Sequence, residues 1–123
     1  MREGAETILL VEDEEPIRAL VRIALEERGY TVLAAADGVA ALELADAHAG
    51  RIDLLITDVV MPRMGGRVLA DHLIRRRPGI KVIYMSGYAD DLIGLEGLPK
   101  EDLHFVPKPC PLESLLRLVR QIL

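Results

Sequence analysis

This chain of 123 residues is poor in aromatic side chains and thiols: it has three tyrosines, one phenylalanine, no tryptophan and one cysteine. With Cys110 alone there is no internal disulfide, no two-thiol redox pair and no thiolate zinc cluster, a composition suited to a reducing compartment. The scarcity of aromatic faces argues against a stacking platform for single-stranded nucleic acid. Basic residues are outnumbered, 15 against 20 acidic, and the net charge of −5 gives no electrostatic footprint for DNA or an anionic bilayer. No apolar run approaches the ~20 residues that span a membrane, and the opening Met1 to Glu6 lacks the apolar stretch of a secretory signal. The expectation is a soluble, cytoplasmic protein with no membrane insertion and no direct nucleic-acid contact.

Half of the residues are hydrophobic, and at this length they suffice for one continuous core built from Ala, Leu, Val and Ile. Residues 1–6 read as a tail and 7–123 as a single domain. Five short apolar runs alternate with helical patterns: Ile8 to Val11, Thr31 to Ala35, Ile52 to Thr57, Lys81 to Met85 and Leu103 to Val106. That alternation predicts an α/β fold with a parallel sheet covered on both faces by five helices. Ile17, Leu20, Val21, Ala24 and Leu25 form one helical stripe, with Pro16 at its first turn and Gly29 at its end. Further helices are expected over about Val39 to Ala47, Gly66 to Arg77 and Leu112 to Leu123. A short, weak one, Ala89 to Glu96, is interrupted by Gly94.

In open α/β sheets ligands bind outside the carboxyl ends of the strands. Here the first run ends in Glu12 and Asp13, the third in Asp58, the fourth in Ser86 and the fifth in Lys108 followed by Pro109. A flavodoxin-like strand order of 2-1-3-4-5 makes strands one and three neighbours, bringing three carboxylates into one crevice. Two carboxylates ~4 Å apart repel by about 4 kcal/mol at an effective dielectric of about 20, so a cation is expected between them. All-oxygen ligands favour Mg2+ or Mn2+ over zinc.

These residues resemble the response regulator receiver domains of two-component signalling. The resemblance spans roughly Thr7 to Leu123 and lies in Ile8-Leu9-Leu10-Val11-Glu12-Asp13-Glu14, Asp58-Val59-Val60-Met61-Pro62-Arg63-Met64-Gly65-Gly66, Met85-Ser86-Gly87-Tyr88 and Phe105-Val106-Pro107-Lys108-Pro109. It implies that Asp58 is the nucleophile that takes a phosphoryl group from a histidine kinase or histidine phosphotransfer domain. By the same resemblance Asp13, Asp58 and the Val60 backbone carbonyl ligate Mg2+, with Glu12 acting through water. Lys108 pairs with Asp58 and then with the phosphoryl group, its bond to Pro109 being cis. Ser86 and Phe105 form the switch.

The resemblance further implies a domain that catalyses its own phosphoryl transfer and a slow self-dephosphorylation without being a conventional turnover enzyme. Val60 and Tyr88 stand where the family controls water access, and both are apolar or bulky. The fourth helix, with Leu92, Ile93 and Leu95, lies on the family's output surface, where these side chains either meet a partner or belong to the core. The chain is expected to be monomeric, or weakly dimeric through the fourth helix, fifth strand and last helix. Its motifs resemble receivers joined to hybrid sensor kinases more than those of transcription factors.

Two other readings compete. A haloacid-dehalogenase-like phosphatase also uses an Asp nucleophile and Mg2+, but needs a second acid two residues on, where this chain has Val60. A receiver-like interaction module that is never phosphorylated is the other, although Asp13, Asp58 and Lys108 are all present. No dinucleotide or Walker motif occurs. His48, His72 and His104 have no ligand spacing, and His72 is expected to pack on its helix. Arg75-Arg76-Arg77 reads as a solvated helix end favoured by the macrodipole, and Cys110 as a packing residue.

Overall fold

The apolar runs become the strands of one parallel sheet, because residues buried on both faces of a sheet leave no room for polar alternation. The computed structural model describes residues 6–87, 95–98 and 104–123. In chain order the elements are β1 (Thr7–Val11), α1 (Glu15–Glu27), β2 (Thr31–Ala35), α2 (Gly38–Ala47), β3 (Leu54–Asp58), α3 (Gly66–Arg76), β4 (Lys81–Ser86), β5 (His104–Pro107) and α4 (Leu112–Ile122). The strand order is β2-β1-β3-β4-β5, the flavodoxin-like arrangement expected, with every neighbouring pair parallel. Four of the five expected helices are present among the described residues. The other, Ala89 to Glu96, lies outside them except for Leu95 and Glu96.

The strand period of two sorts the core onto two faces. Leu9, Val11, Leu55 and Tyr84 pack with Ala41, Ala45, Leu69 and Leu73 beneath α2 and α3. Ile8, Leu10, Leu54, Ile56 and Ile83 pack with Val21, Leu25, Leu115, Leu116 and Val119 beneath α1 and α4. Each fully buried leucine or isoleucine contributes about 1.5–3 kcal/mol. All residues of β3 are buried, so the strand that carries Asp58 is the best fixed of the five.

Local chemistry sets the helix ends. Pro16 stands in the first turn of α1, and Gly29 follows that helix at φ +95°, a left-handed conformation that glycine tolerates. Asp37 caps α2, its Oδ1 accepting the Ala40 N–H at 2.8 Å.

Several expectations are corrected. Leu20, expected on the buried stripe of α1, is 57% exposed, because Val21, Ala24 and Leu25 already fill the contact with the sheet. β3 begins at Leu54, not Ile52: at its margin the Asp53 N–H donates to the Thr7 carbonyl at 2.8 Å, but the Thr7 N–H turns to the Asp53 side chain, Oδ2 accepting it at 2.9 Å. The arginine run is not merely solvated. Arg77 donates from Nη1 to the Gly50 carbonyl (2.7 Å) and from Nη2 to those of Ala45 and His48 (both 2.8 Å), closing the end of α2. Cys110 packs at the edge of the core under α4, as expected.

Candidate functional site

Register, rather than sequence proximity, assembles the site. Val11 pairs with Thr57, Asp58 with Met85, and Ser86 with Pro107. The residues just past those pairs, Glu12, Asp13 and Lys108, therefore gather at one end of the sheet beside Asp58. Asp13, Glu14, Asp58, Val60, Met85, Ser86, Gly87 and Lys108 line an open crevice of about 420 Å³ there. A second hollow, beside Lys81, Val82 and His104 at the other end of β4 and β5, contains none of these groups.

Two glycines shape the approach behind Asp58. A Cβ at Gly66 would run into the Asp58 carbonyl, so only glycine lets α3 start this close to β3. The Gly66 N–H donates to the Val59 carbonyl at 2.7 Å, folding the segment after the acid back on itself, while a Cβ at Gly65 would press on that same carbonyl. Thr57, fully buried, donates its hydroxyl to the Asp58 carbonyl at 3.0 Å.

The charged centre is almost shut off from solvent on its acidic side. Glu12 is 3% and Asp58 7% exposed, whereas Asp13 faces solvent. Lys108 Nζ lies 2.6 Å from Glu12 Oε1 and 2.9 Å from Asp58 Oδ1. The ammonium, with three donors, thus bridges the two buried carboxylates, and its contact with Glu12 is the shorter. Burial pushes the Asp58 carboxyl up from 3.8 to about 6; Lys108 opposes the rise, and Glu12 and Asp13 add to it. Burial alone would lower the Lys108 pKa, but Glu12 and Asp58 more than reverse this and hold it above its ordinary value.

Glu12, Asp13 and Asp58 each offer a carboxylate oxygen, and these atoms lie within 4.8 Å of one another. Three carboxylates share the crevice with one ammonium, and the negative charge left over, felt by Asp58 as repulsion from Glu12 and Asp13, is what a hard divalent cation would satisfy. The donor set fits such an ion and contains no soft ligand.

Of the other residues singled out in the sequence, Ser86 is buried at the end of β4, where its carbonyl accepts the Lys108 N–H at 2.7 Å. Phe105 is partly buried against the core beneath α2 and α3. The Val60 side chain, 68% exposed, stands on the crevice rim. The Lys108–Pro109 peptide is cis. Tyr88, Leu92 and Ile93 lie outside the described residues. The histidines do not join the acidic group. Sequence reasoning missed Arg18, whose Nη1 donates to the Glu12 carbonyl at 2.8 Å. Its place just inside the helix that follows the acidic pair was the available signal. No helix among the described residues is long and apolar enough to cross a membrane.

Comparison with known proteins agrees with this geometry. The sequence profile described as the response regulator receiver domain matches residues 8–120. Sensor kinase CckA of Brucella abortus (strain 2308) is 44% identical over 121 residues, which are 98% of this chain and 13% of that protein. The chain spans about half the length of several other curated relatives it matches. The crystal structure of the receiver domain from hybrid histidine kinase CckA superposes with a TM-score of 0.73 at 38% identity, covering 94% of this chain and 97% of that one. Response regulator protein TrrA of Thermotoga maritima, in complex with Mg2+ and BeF, superposes with a TM-score of 0.76 at 27% identity, covering 96% and 99% of the two chains.

Proposed function

From the premise that this chain belongs to the response regulator receiver domain family of two-component signalling, we propose that Asp58 accepts a phosphoryl group from a phosphohistidine. The donor is a histidine kinase or histidine phosphotransfer domain. An Asp58 carboxylate oxygen attacks phosphorus, the phosphorus–nitrogen bond of the donor breaks, and the imidazole leaves with the bonding pair. The observation that carries this reading is the meeting of Glu12, Asp13, Asp58 and Lys108 in one crevice from the ends of β1, β3 and β5.

Asp13, Asp58 and the Val60 backbone carbonyl would hold Mg2+ (or Mn2+), with Glu12 through water. A bound divalent ion supplies neutralisation of charge developing on the phosphoryl oxygens. Lys108 supplies a fixed positive charge on the side toward β5. Ser86 and Phe105 form the switch: the hydroxyl turns toward the phosphoryl group and the ring moves into the space it leaves. Charge-assisted hydrogen bonds from Ser86 and Lys108, worth about 1.5–3 kcal/mol each, approach the ~5.5 kcal/mol that inverts a 1:99 equilibrium.

The CckA likeness favours a receiver segment of a hybrid sensor kinase, working in the cytoplasm and contacting no nucleic acid directly. The edge formed by β5 and α4 is the face for weak self-association. The exposed Val60 at the rim favours slow self-dephosphorylation, and its lack of a carboxyl disfavours a haloacid-dehalogenase-like phosphatase.

Incubation of the chain with acetyl phosphate and Mg2+, followed by intact mass measurement, tests the acceptor. The expected result is an adduct of about 80 Da, the mass of one phosphoryl group, that disappears in Asp58→Asn and in EDTA. An adduct that persists in the variant overturns the reading.

A further inference from the structure

We propose that Arg18 is a positioning residue for the divalent-cation site: by holding the Glu12 carbonyl it fixes the peptide that carries Asp13. The inference rests on the reading of Asp13 as a metal ligand and assigns a task to a side chain outside the ligand set.

Glu12, Asp13 and Glu14 join β1 to α1. Glu12 is well secured: its N–H donates to the Ala35 carbonyl at 3.1 Å, and its Oε2 accepts the Glu14 N–H at 3.1 Å. Asp13 has no such hold. It faces solvent, and its carboxylate joins no hydrogen bond or ion pair among the described residues. That carboxylate is aimed by its backbone alone. Because a peptide unit is planar, the direction of the Glu12 carbonyl sets the plane in which the chain enters Asp13, and Arg18 Nη1 donates to this carbonyl at 2.8 Å.

Helix geometry supplies the reach. Side chains of a helix lean toward its N-terminus, and Arg18, whose own N–H bonds to the Glu14 carbonyl at 2.9 Å in the first turn of α1, stands where a long side chain folds back over the preceding loop. A cation at that end of a helix opposes the macrodipole, and among the described residues no carboxylate pairs with Arg18 to offset this. Its hydrogen bond to the loop is what it contributes. The guanidinium acts on cation binding in two opposite senses. As a charge near three acids it repels a divalent cation, so its removal tightens binding. As a fastening it pre-orders a ligand, so its removal weakens binding, as loss of an outer contact to a ligand does. The fastening prevails, because salt screens the first effect and leaves the second untouched.

The sign of one measurement separates the two. Mg2+ affinity is read by titration calorimetry on the full chain and on Arg18→Met, which keeps the apolar stem and loses both donor and charge. The expected result is binding about tenfold weaker than in the parent. Arg18→Gln, whose amide stops short of the Nη1 position, is expected to show the same loss and stands in should Arg18→Met not fold. Arg22→Met removes an equal charge one turn further along α1, where Arg22 pairs with Glu26, and is expected to bind Mg2+ as tightly as the parent or more so. Parent-like or tighter binding by the Arg18 variants overturns the proposal, as does an equal loss in Arg22→Met. In EDTA, amide spectra of the parent and the Arg18 variant are expected to differ at residues 12–14 while those of β3 stay in place; changes spread over the whole sheet mark a merely structural role and overturn it too. Absence of Mg2+ binding by the unsubstituted chain defeats the metal reading instead, and the metal-free spectra still decide whether Arg18 holds the Glu12–Asp13 peptide.

Discussion

Met64 lies directly over Gly38, its Sδ, Cβ and Cγ occupying the space a side chain at position 38 would need. A Cβ there would stand 2.9 Å from the sulfur and 3.0 Å from the Met64 Cβ. The segment that follows Asp58 is thereby pressed onto the first turn of α2, next to the looser pair of Arg63 and Asp37 at 3.9 Å. Replacing glycine by alanine in a helix normally adds about 0.5–1 kcal/mol of stability. Here the sign reverses: Gly38→Ala is expected to cost about 1–2 kcal/mol, measured by urea denaturation. Met64→Ala in the same chain should remove most of that cost.

Gly66 is a stricter case. Its Cβ would meet the backbone of Asp58, which cannot rotate away as a side chain can. Gly66→Ala is expected to destabilise by more than about 2 kcal/mol and to slow phosphorylation by displacing the acceptor. Gly65→Ala, which meets only the Val59 carbonyl at 3.0 Å, should lose less. Equal losses at the two positions would show that α3 shifts as a body.

Stability without metal should depend on pH through Asp58. Its pKa is about 6 in the folded chain against 3.8 ordinarily, so the folded state holds the proton more tightly. The chain gains stability as pH falls through about 6 toward 3.8 and loses it as pH rises through the same window. Above that window the buried charge costs on the order of 2–3 kcal/mol. Asp58→Asn in EDTA should therefore melt above the parent at about pH 8, with the gap closing by about pH 4. Addition of Mg2+ should raise the Tm of the parent and leave the variant nearly unmoved.

Arg77 should be worth more than its neighbours. It donates to carbonyls at and beyond the end of α2, where that of Ala45 otherwise receives only the longer 3.3 Å bond from the His48 N–H. Arg77→Ala is expected to cost about 2 kcal/mol, and Arg77→Lys to recover little, because an ammonium cannot span those acceptors as a planar fork does. Arg75→Ala should stay within about 0.5 kcal/mol. Thermal melts of the three variants make the comparison.

Val60 should govern the lifetime of the phosphorylated state. The half-life is expected to be many minutes, followed by loss of the mass adduct. Val60→Asn, which offers water a polar partner at the rim, should shorten it about tenfold.

The sheet was legible because buried parallel strands show as unbroken apolar runs, and the acids at their ends announced the crevice. Boundaries were less so: Ile52 is as buried as a strand residue yet precedes β3, and burial and pairing look alike in a sequence. Leu20 shows that periodicity marks the centre of a buried stripe better than its edge. Arg77 resembles a solvated charge in the sequence because its acceptors are backbone carbonyls, which carry no residue-type signal. The pairing of Lys108 with Glu12 was out of reach for another reason: Glu12 and Asp58 are both acids, and nothing in the sequence says that the ammonium bridges the two. Tyr88 and most of the Ala89 to Glu96 stretch fall outside the described residues.

Glu12 and Lys108 are 96 positions apart in the chain. A ribosome must finish β5 before the lysine can reach the first strand, so every shorter intermediate carries the acids without their counterion. Competence to receive a phosphoryl group therefore cannot precede the docking of β5, which makes the chemical response a built-in report that this edge of the sheet has closed.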